Sequence, residues 1–187
     1  MNSKQLIIEN ENFYILTGGP GSGKTSILEV LKKEFQCIDE VARQIIQEQV
    51  KIDGDAVHWK DQRKFLDLML SLSIFTYEQV NEKNKPVFFD RGIPELIGYC
   101  HLIHHPVPPY LVNAAKIYRY NKKVFITPPW QEIYQNDEER KQDWREAVET
   151  YDRIADAYSN AGYKLLEIPK APITKRVEFI LEQILNR

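Results

Sequence analysis

A chain of 187 residues that is 43% hydrophobic and 28% charged is long enough to bury a proper core and fits one domain, 1–187, rather than two. Its formal net charge of -2 gives no general attraction to nucleic acid or an anionic membrane, and no apolar run approaches the ~18 residues of a membrane span. Two cysteines, Cys37 and Cys100, make no disulfide framework, which together with a start lacking a signal sequence predicts a soluble protein of a reducing cytoplasm.

The polar lead-in over residues 1–12 gives way to Phe13-Tyr14-Ile15-Leu16, which predicts a buried strand. Directly after it stands Gly18-Gly19-Pro20-Gly21-Ser22-Gly23-Lys24-Thr25, a full match to G-x-x-x-x-G-K-[ST], the phosphate-binding loop. Here the chain must leave a strand, curl around an anion with its N–H groups inward and enter a helix. Gly18, Gly21 and Gly23 permit that curl, Pro20 stiffens it, and the helix N-terminus aims at the same anion. Lys24 can reach the β- and γ-phosphates, Thr25 is placed to ligate Mg²⁺, and Ser26 faces the α-phosphate side. Gly18, Gly19, Pro20, Gly21, Ser22, Gly23, Lys24, Thr25 and Ser26 are therefore the expected nucleotide binders.

Ile27, Leu28, Leu31 and Phe35 share one face of the following helix, and Cys37-Ile38-Asp39 reads as a short second strand. A helical pattern then runs to Val50, Asp53-Gly54-Asp55 breaks it, and Phe65, Leu68, Met69, Leu72, Phe75 and Val80 predict a long covering helix. The run Pro86-Val87-Phe88-Phe89 predicts a third strand, ending at Asp90-Arg91-Gly92. Helices are expected from Pro94 to about residue 103 and over 110–120, then a strand at Val124-Phe125-Ile126. Trp144, Ala147, Val148, Tyr151, Ile154, Ala155 and Tyr158 line a regular helix that Gly162 caps. A last strand over 165–168, a turn over 169–172 and a closing helix complete the chain. Short apolar strands alternating with helices predict an α/β fold with a parallel sheet covered on both faces, and ligands beyond the carboxyl ends of the strands.

Four further places can carry chemistry there. Asp90 closes an apolar strand, where it can hold a metal or the metal's water; Arg91 follows it, in the place where hydrolytic motors put a water-activating glutamate. That favours transfer to a bound acceptor over hydrolysis; a plain cap-and-pair of Asp90 with Arg91 is the alternative. Glu40, beside Asp39, either takes the proton of an acceptor hydroxyl or is a helix-start charge favoured by the dipole, and Arg43 either binds a substrate anion or pairs with Glu40. Arg140 and Arg145 lie in a lid-like segment, about 130–145, that could close over the phosphates or be an ordinary solvated connection. Residues 169–172 could line the base pocket. Cys100-His101 with His104-His105 lacks the four ligands structural zinc wants, and Tyr118 to Lys123 reads better as a cationic helix end than as a nucleic-acid surface.

The GGPGSGKT loop, Glu40-x-x-Arg43, the FFDRG at Asp90 and Asp137-x-x-Arg140 together resemble the AAA-type ATPase-like, nucleoside-kinase-related P-loop family, which includes the ribosylnicotinamide kinase domain of NAD-biosynthesis regulators. The likeness spans residues 13–185. It implies a three-layer P-loop kinase-like fold with a five-stranded parallel sheet in the order 2-3-1-4-5, an ATP or GTP ligand with Mg²⁺, and a lid. It carries over Gly18 to Ser26 as phosphate binders, Asp90 as the metal-side carboxylate, Glu40 as an acceptor-side group and Arg140 as a lid cation. The Asp-Glu pair and small helical domain of ring motors are not in the sequence.

The expected activity is that of an ATP-dependent kinase acting on a hydroxyl of a small metabolite or nucleoside, with Lys24, Glu40, Asp90, Arg91, Arg140 and Arg145 as its catalytic set. The alternative is an ATP- or GTP-binding regulatory or hydrolytic module with no small-molecule acceptor. Neither Asn84-Lys85-Pro86-Val87 nor Asn121-Lys122-Lys123-Val124 completes the N-K-x-D guanine signature.

Overall fold

The computed structural model describes residues 6–134 and 144–185. Its elements in chain order are β1 (Ile8–Glu9), β2 (Phe13–Gly18), α1 (Lys24–Leu31), β3 (Gln36–Ile38), α2 (Val41–Lys51), α3 (Gln62–Gln79), β4 (Val87–Asp90), α4 (Glu95–Leu102), α5 (Pro109–Ile117), β5 (Tyr118–Arg119), β6 (Lys123–Thr127), a 3-10 turn (Gln131–Ile133), α6 (Trp144–Asn160), β7 (Lys164–Glu167) and α7 (Ile173–Leu185).

The main sheet is parallel throughout, in the spatial order β3-β4-β2-β6-β7. Counted over its own five strands this is 2-3-1-4-5, the order that the family resemblance implies. The most apolar strand, β2, lies in the middle because both its faces are covered. Phe13 and Ile15 point into a cluster with Val87, Phe89, Val124, Ile126 and the α6 residues Ile154 and Tyr158. Tyr14 and Leu16 point the other way, onto α1 and α7 through Ile27, Leu28, Leu31, Ile180 and Ile184. Alternation along a strand thus builds two cores from four consecutive residues. A third cluster, under α2 to α5, joins Ile45, Phe65, Leu66, Ile93 and Leu111.

Register sets the site. Leu16 pairs with Asp90 on one side of β2, and Gly18 pairs with Thr127 on the other. The loop leaving β2 is therefore flanked by the carboxyl end of β4 and the carboxyl end of β6.

Two expected elements differ. The helix expected over 110–120 stops at Ile117, because Tyr118 and Arg119 turn extended and pair in parallel with Ile8 and Glu9. The Tyr77 hydroxyl, 2.6 Å from the Arg119 carbonyl and 3.1 Å from that of Ile8, sits against this ladder. In α3 the buried face is Phe65, Leu66, Met69, Leu70 and Tyr77, while Leu68 and Phe75 are exposed. Drawing Tyr77 into the sheet core while Leu66 and Leu70 join the third cluster turns the helix away from the expected stripe. Asp61 starts α3 as its N-cap, accepting from the backbone N–H groups of Arg63 and Lys64.

Candidate active site

The loop between β2 and α1 has the backbone that its glycines allow. Gly18, Gly21 and Gly23 have φ of 137°, 67° and 84°. A Cβ on Gly18 would overlap the Thr127 hydroxyl, and one on Gly21 would stand 2.7 Å from the Tyr134 ring, so conformation and space both exclude a side chain at these two positions. Inside the curl the Ser22 Oγ lies 2.7 Å from the Gly19 carbonyl and 2.6 Å from Thr127 Oγ1, which is itself 3.1 Å from the Thr17 carbonyl. The two hydroxyl protons can fill two of these three contacts at a time, and a proton shared between Ser22 and Thr127 ties the loop to β6.

Lys24 is the first residue of α1, and its side chain folds back into the curl. Nζ donates to the Gly18 and Gly19 carbonyls at 2.8 and 2.9 Å, and the residue is buried. Burial, with the Arg91 charge beside it, pushes its pKa down to about 8. Thr25 and Ser26 are exposed on the first turn of α1.

On the β4 flank stands a charged cluster. Arg91 sits at φ 73°, a left-handed conformation that costs a non-glycine residue about 1–3 kcal/mol and persists only where the surroundings hold it. They do so here: its N–H donates to the Leu16 carbonyl at 3.0 Å, Nε donates to Glu40 Oε1 at 2.7 Å, and NH1 pairs with Glu95 and lies 3.4 Å from the Gly18 carbonyl. Arg91 thus does not pair with Asp90. Burial would lower its pKa, but the charges of Glu95, Glu40 and Asp90 raise it well above the usual arginine value.

Glu40 occupies the N-cap position of α2 without its side chain capping the helix, so it is neither a free carboxylate nor a cap; Arg91 holds it. Burial pushes its carboxyl up, and Arg91 and Lys24 outweigh that and hold it below the usual range. Asp39 is turned away, paired with Lys32 at 2.5 Å. Asp90 is different again: its Oδ1 is buried with no hydrogen-bond partner among the described residues, and burial pushes its carboxyl above the usual range despite Lys24 and Arg91. A buried carboxylate oxygen left bare at the carboxyl end of β4 is a hard donor of the kind that suits Mg²⁺.

Three residues of this neighbourhood were not read from the sequence. Glu95, 6% exposed, takes a 2.5 Å hydrogen bond from Thr17 Oγ1 and a 3.2 Å bond from the Tyr158 hydroxyl while pairing with Arg91. Arg176, 3% exposed, donates from NH2 to the Ser22 carbonyl at 2.9 Å, and Thr127 closes the loop from β6. Glu95 was legible only as the helix residue four past Arg91. Arg176 lies 154 positions from Ser22 and left no local signal.

The remaining expectations divide. Arg145 is exposed on the first turn of α6, and Arg140 falls in 135–143, outside the described residues. On the described part of the expected lid Tyr134 lies on Gly21; beyond the lid's other end, in α6, the Ala147 carbonyl would stand 3.0 Å from a Cβ on Gly19. Trp144 meets Tyr134 edge-on at 5.5 Å. His101, His104 and His105 are exposed, and among the described residues no group of three or more His, Cys, Asp or Glu is placed to hold a metal ion.

A family model described as AAA domain matches residues 13–176. Comparison with curated proteins gives no match. Among solved structures, the chain is similar to NadR protein in complex with NR, at 16% identity and a TM-score of 0.71, covering 93% of this chain and 50% of that one. It is similar to the deoxyadenosine kinase from M. mycoides with products dCMP and a flexible dCDP bound, at 13% identity, a TM-score of 0.62 and coverage of 94% and 100%. It is also similar to shikimate kinase from Acinetobacter baumannii in complex with shikimate, at 12% identity, a TM-score of 0.58 and 93% coverage of both chains. At these identities the likeness is one of fold.

Proposed function

The chain belongs to the AAA domain family, and from that premise we propose that it is an ATP-dependent kinase moving the γ-phosphate of ATP to a hydroxyl of a small metabolite or nucleoside, with GTP as the alternative donor. The observation that carries this reading is the pairing of a full phosphate loop with a bare Asp90 oxygen on one flank and Arg91, not a carboxylate, next to it. Kinases of nucleosides and of shikimate share the fold, which supports transfer over hydrolysis.

In this reading the loop N–H groups from Gly18 to Ser26 and the start of α1 bind the phosphates. Lys24 leaves the Gly18 and Gly19 carbonyls for the β- and γ-phosphate oxygens, which are better acceptors because they are charged. Thr25 and Asp90 would hold Mg²⁺, which supplies neutralisation of the charge on the phosphates when bound. Arg91 is fixed by Glu40 and Glu95 at the edge of the loop, where a positive charge stabilises the group in transit. Glu40 faces the acceptor side as the proton acceptor. Glu95, buried and engaged by Thr17, Tyr158 and Arg91, positions Arg91. Arg140 and Arg145 remain the proposed cations of a lid over about 130–145. The AAA name carries no implication of a ring motor, since the Asp-Glu pair of such machines is Asp90-Arg91 here.

The test is ADP release from MgATP in the presence of a panel of hydroxyl compounds: nucleosides, deoxynucleosides, sugars and shikimate-like acids. At least one acceptor should raise ADP release well above the Lys24→Ala background. A panel in which none does, with folded protein that binds ATP, would leave a nucleotide-binding module in place of a kinase.

A further inference from the structure

The sheet order divides the surroundings of the phosphate loop. Asp90, Arg91 and Glu40 lie on the β4 side of β2, whereas β6, β7 and α7 lie on the other side. A triphosphate gripped in the middle, with its reacting end toward Asp90, must send its sugar and base toward β6 and α7. On that side stand Trp130, three residues beyond the end of β6, and Arg176 on the first turns of α7.

These two residues form a unit with the loop. The Arg176 guanidinium lies between Trp130 and the loop: NH2 donates to the Ser22 carbonyl at 2.9 Å, and the guanidinium carbon stands 5.7 Å over the Trp130 ring. NH1 comes so close to Gly23 that a Cβ there would be 2.5 Å from it. Arg176 is 97% buried by its 3% exposure, yet its Nε is buried without an acceptor among the described residues. Burying a guanidinium N–H unpaired is costly, so one left that way at the rim of a binding loop points to an acceptor atom brought by a ligand. Trp130 is half-buried, an amphipathic ring left partly open beside that donor.

We propose that Trp130 is the platform on which the nucleotide base stacks, and that Arg176 Nε donates to an acceptor atom of the sugar or base of the same nucleotide. The proposal rests on the kinase reading only for the presence of a nucleoside triphosphate. Every base has a π-face, so an indole platform recognises the class of ligand and favours the larger purines over pyrimidines by contact area.

The experiment compares MgATP with inorganic tripolyphosphate and Mg²⁺, which offers the same phosphate chain without a base. Trp130→Ala should weaken MgATP binding about tenfold in calorimetry and leave tripolyphosphate within about twofold of the native protein, while Trp130→Phe keeps ATP binding within about threefold. In a Trp59→Phe/Trp144→Phe background, where Trp130 is the remaining tryptophan, MgATP should quench its fluorescence and tripolyphosphate should not. Equal losses for both ligands in Trp130→Ala, or an unchanged ATP affinity with no ATP-specific quenching, would overturn the platform while leaving the phosphate loop standing. Failure of both ligands to bind the native protein would remove the loop reading and the platform together.

Discussion

Arg91 Nε donates to Glu40 Oε1 at 2.7 Å, so the carboxylate proposed as proton acceptor is tied to the cation that follows Asp90. Both side chains are about a quarter exposed, which keeps the pair's contribution to stability near 1 kcal/mol rather than the larger value of a fully buried pair. Glu40→Gln should therefore lower stability by about 1 kcal/mol in urea unfolding, leave ATP affinity within about twofold, and cut turnover of any acceptor about 100-fold. Because Arg91 holds the carboxyl below its ordinary 4.5, the acid limb of the native pH–rate profile should fall below that value. An acid limb near 6 would assign the proton to another group.

Asp90 gives the opposite sign. Its folded pKa is raised, chiefly by burial, so ionisation at neutral pH destabilises the fold, and that cost is absent at acid pH where the carboxyl is protonated. Asp90→Asn should raise the melting temperature of the ligand-free protein by a few degrees at pH 7 and abolish the extra stabilisation that Mg²⁺ adds to ATP in the native chain. Thermal unfolding with ATP, with and without Mg²⁺, reads both effects at once. A variant that still responds to Mg²⁺ would take Asp90 out of the metal's reach.

Lys24 links the site to pH. With a folded pKa of about 8 against an ordinary 10.5, the unfolded chain binds more protons between those values, so this residue makes stability rise with pH across that window. Lys24→Met should flatten the rise relative to the native protein. In the proposed reading, phosphates on Nζ reverse the shift, so MgATP binding at pH 8.5 should take up part of a proton. Calorimetry in buffers of different ionisation enthalpy measures it, and a buffer-independent heat would mean that Lys24 does not meet the phosphates.

The Tyr99 hydroxyl is buried with no partner among the described residues, its pKa pushed up to about 12 by burial, and its ring meets Phe65 at 6.1 Å. Removing an unpaired buried hydroxyl while keeping the ring should leave stability unchanged or raise it by up to about 1 kcal/mol. Tyr99→Phe in urea unfolding checks this; a loss of 1 kcal/mol or more would show that the hydroxyl has a partner in solution.

The loop and the strand that feeds it were legible because both are local. A glycine spacing and a four-residue apolar run carry their own geometry, and Asp90 could be placed by the end of its strand. Partnership was not legible. That Arg91 would choose Glu40 and Glu95 over Asp90 depends on a left-handed backbone at a non-glycine residue, which no pattern announces. The exposed Leu68 and Phe75 show the same limit in the fold. A helical period marks which residues share a face, but the position of Tyr77 against the β1 and β5 ladder decides which face turns inward.

The clasp of Arg176 on Ser22 joins residues 154 positions apart, and the hydroxyl contact of Ser22 with Thr127 spans 105. During synthesis the glycine curl leaves the ribosome long before either of its clamps. The nascent polypeptide therefore carries its most recognisable motif unshaped until the closing helix emerges, and a translation arrest anywhere before that point yields a product with the signature but without the grip.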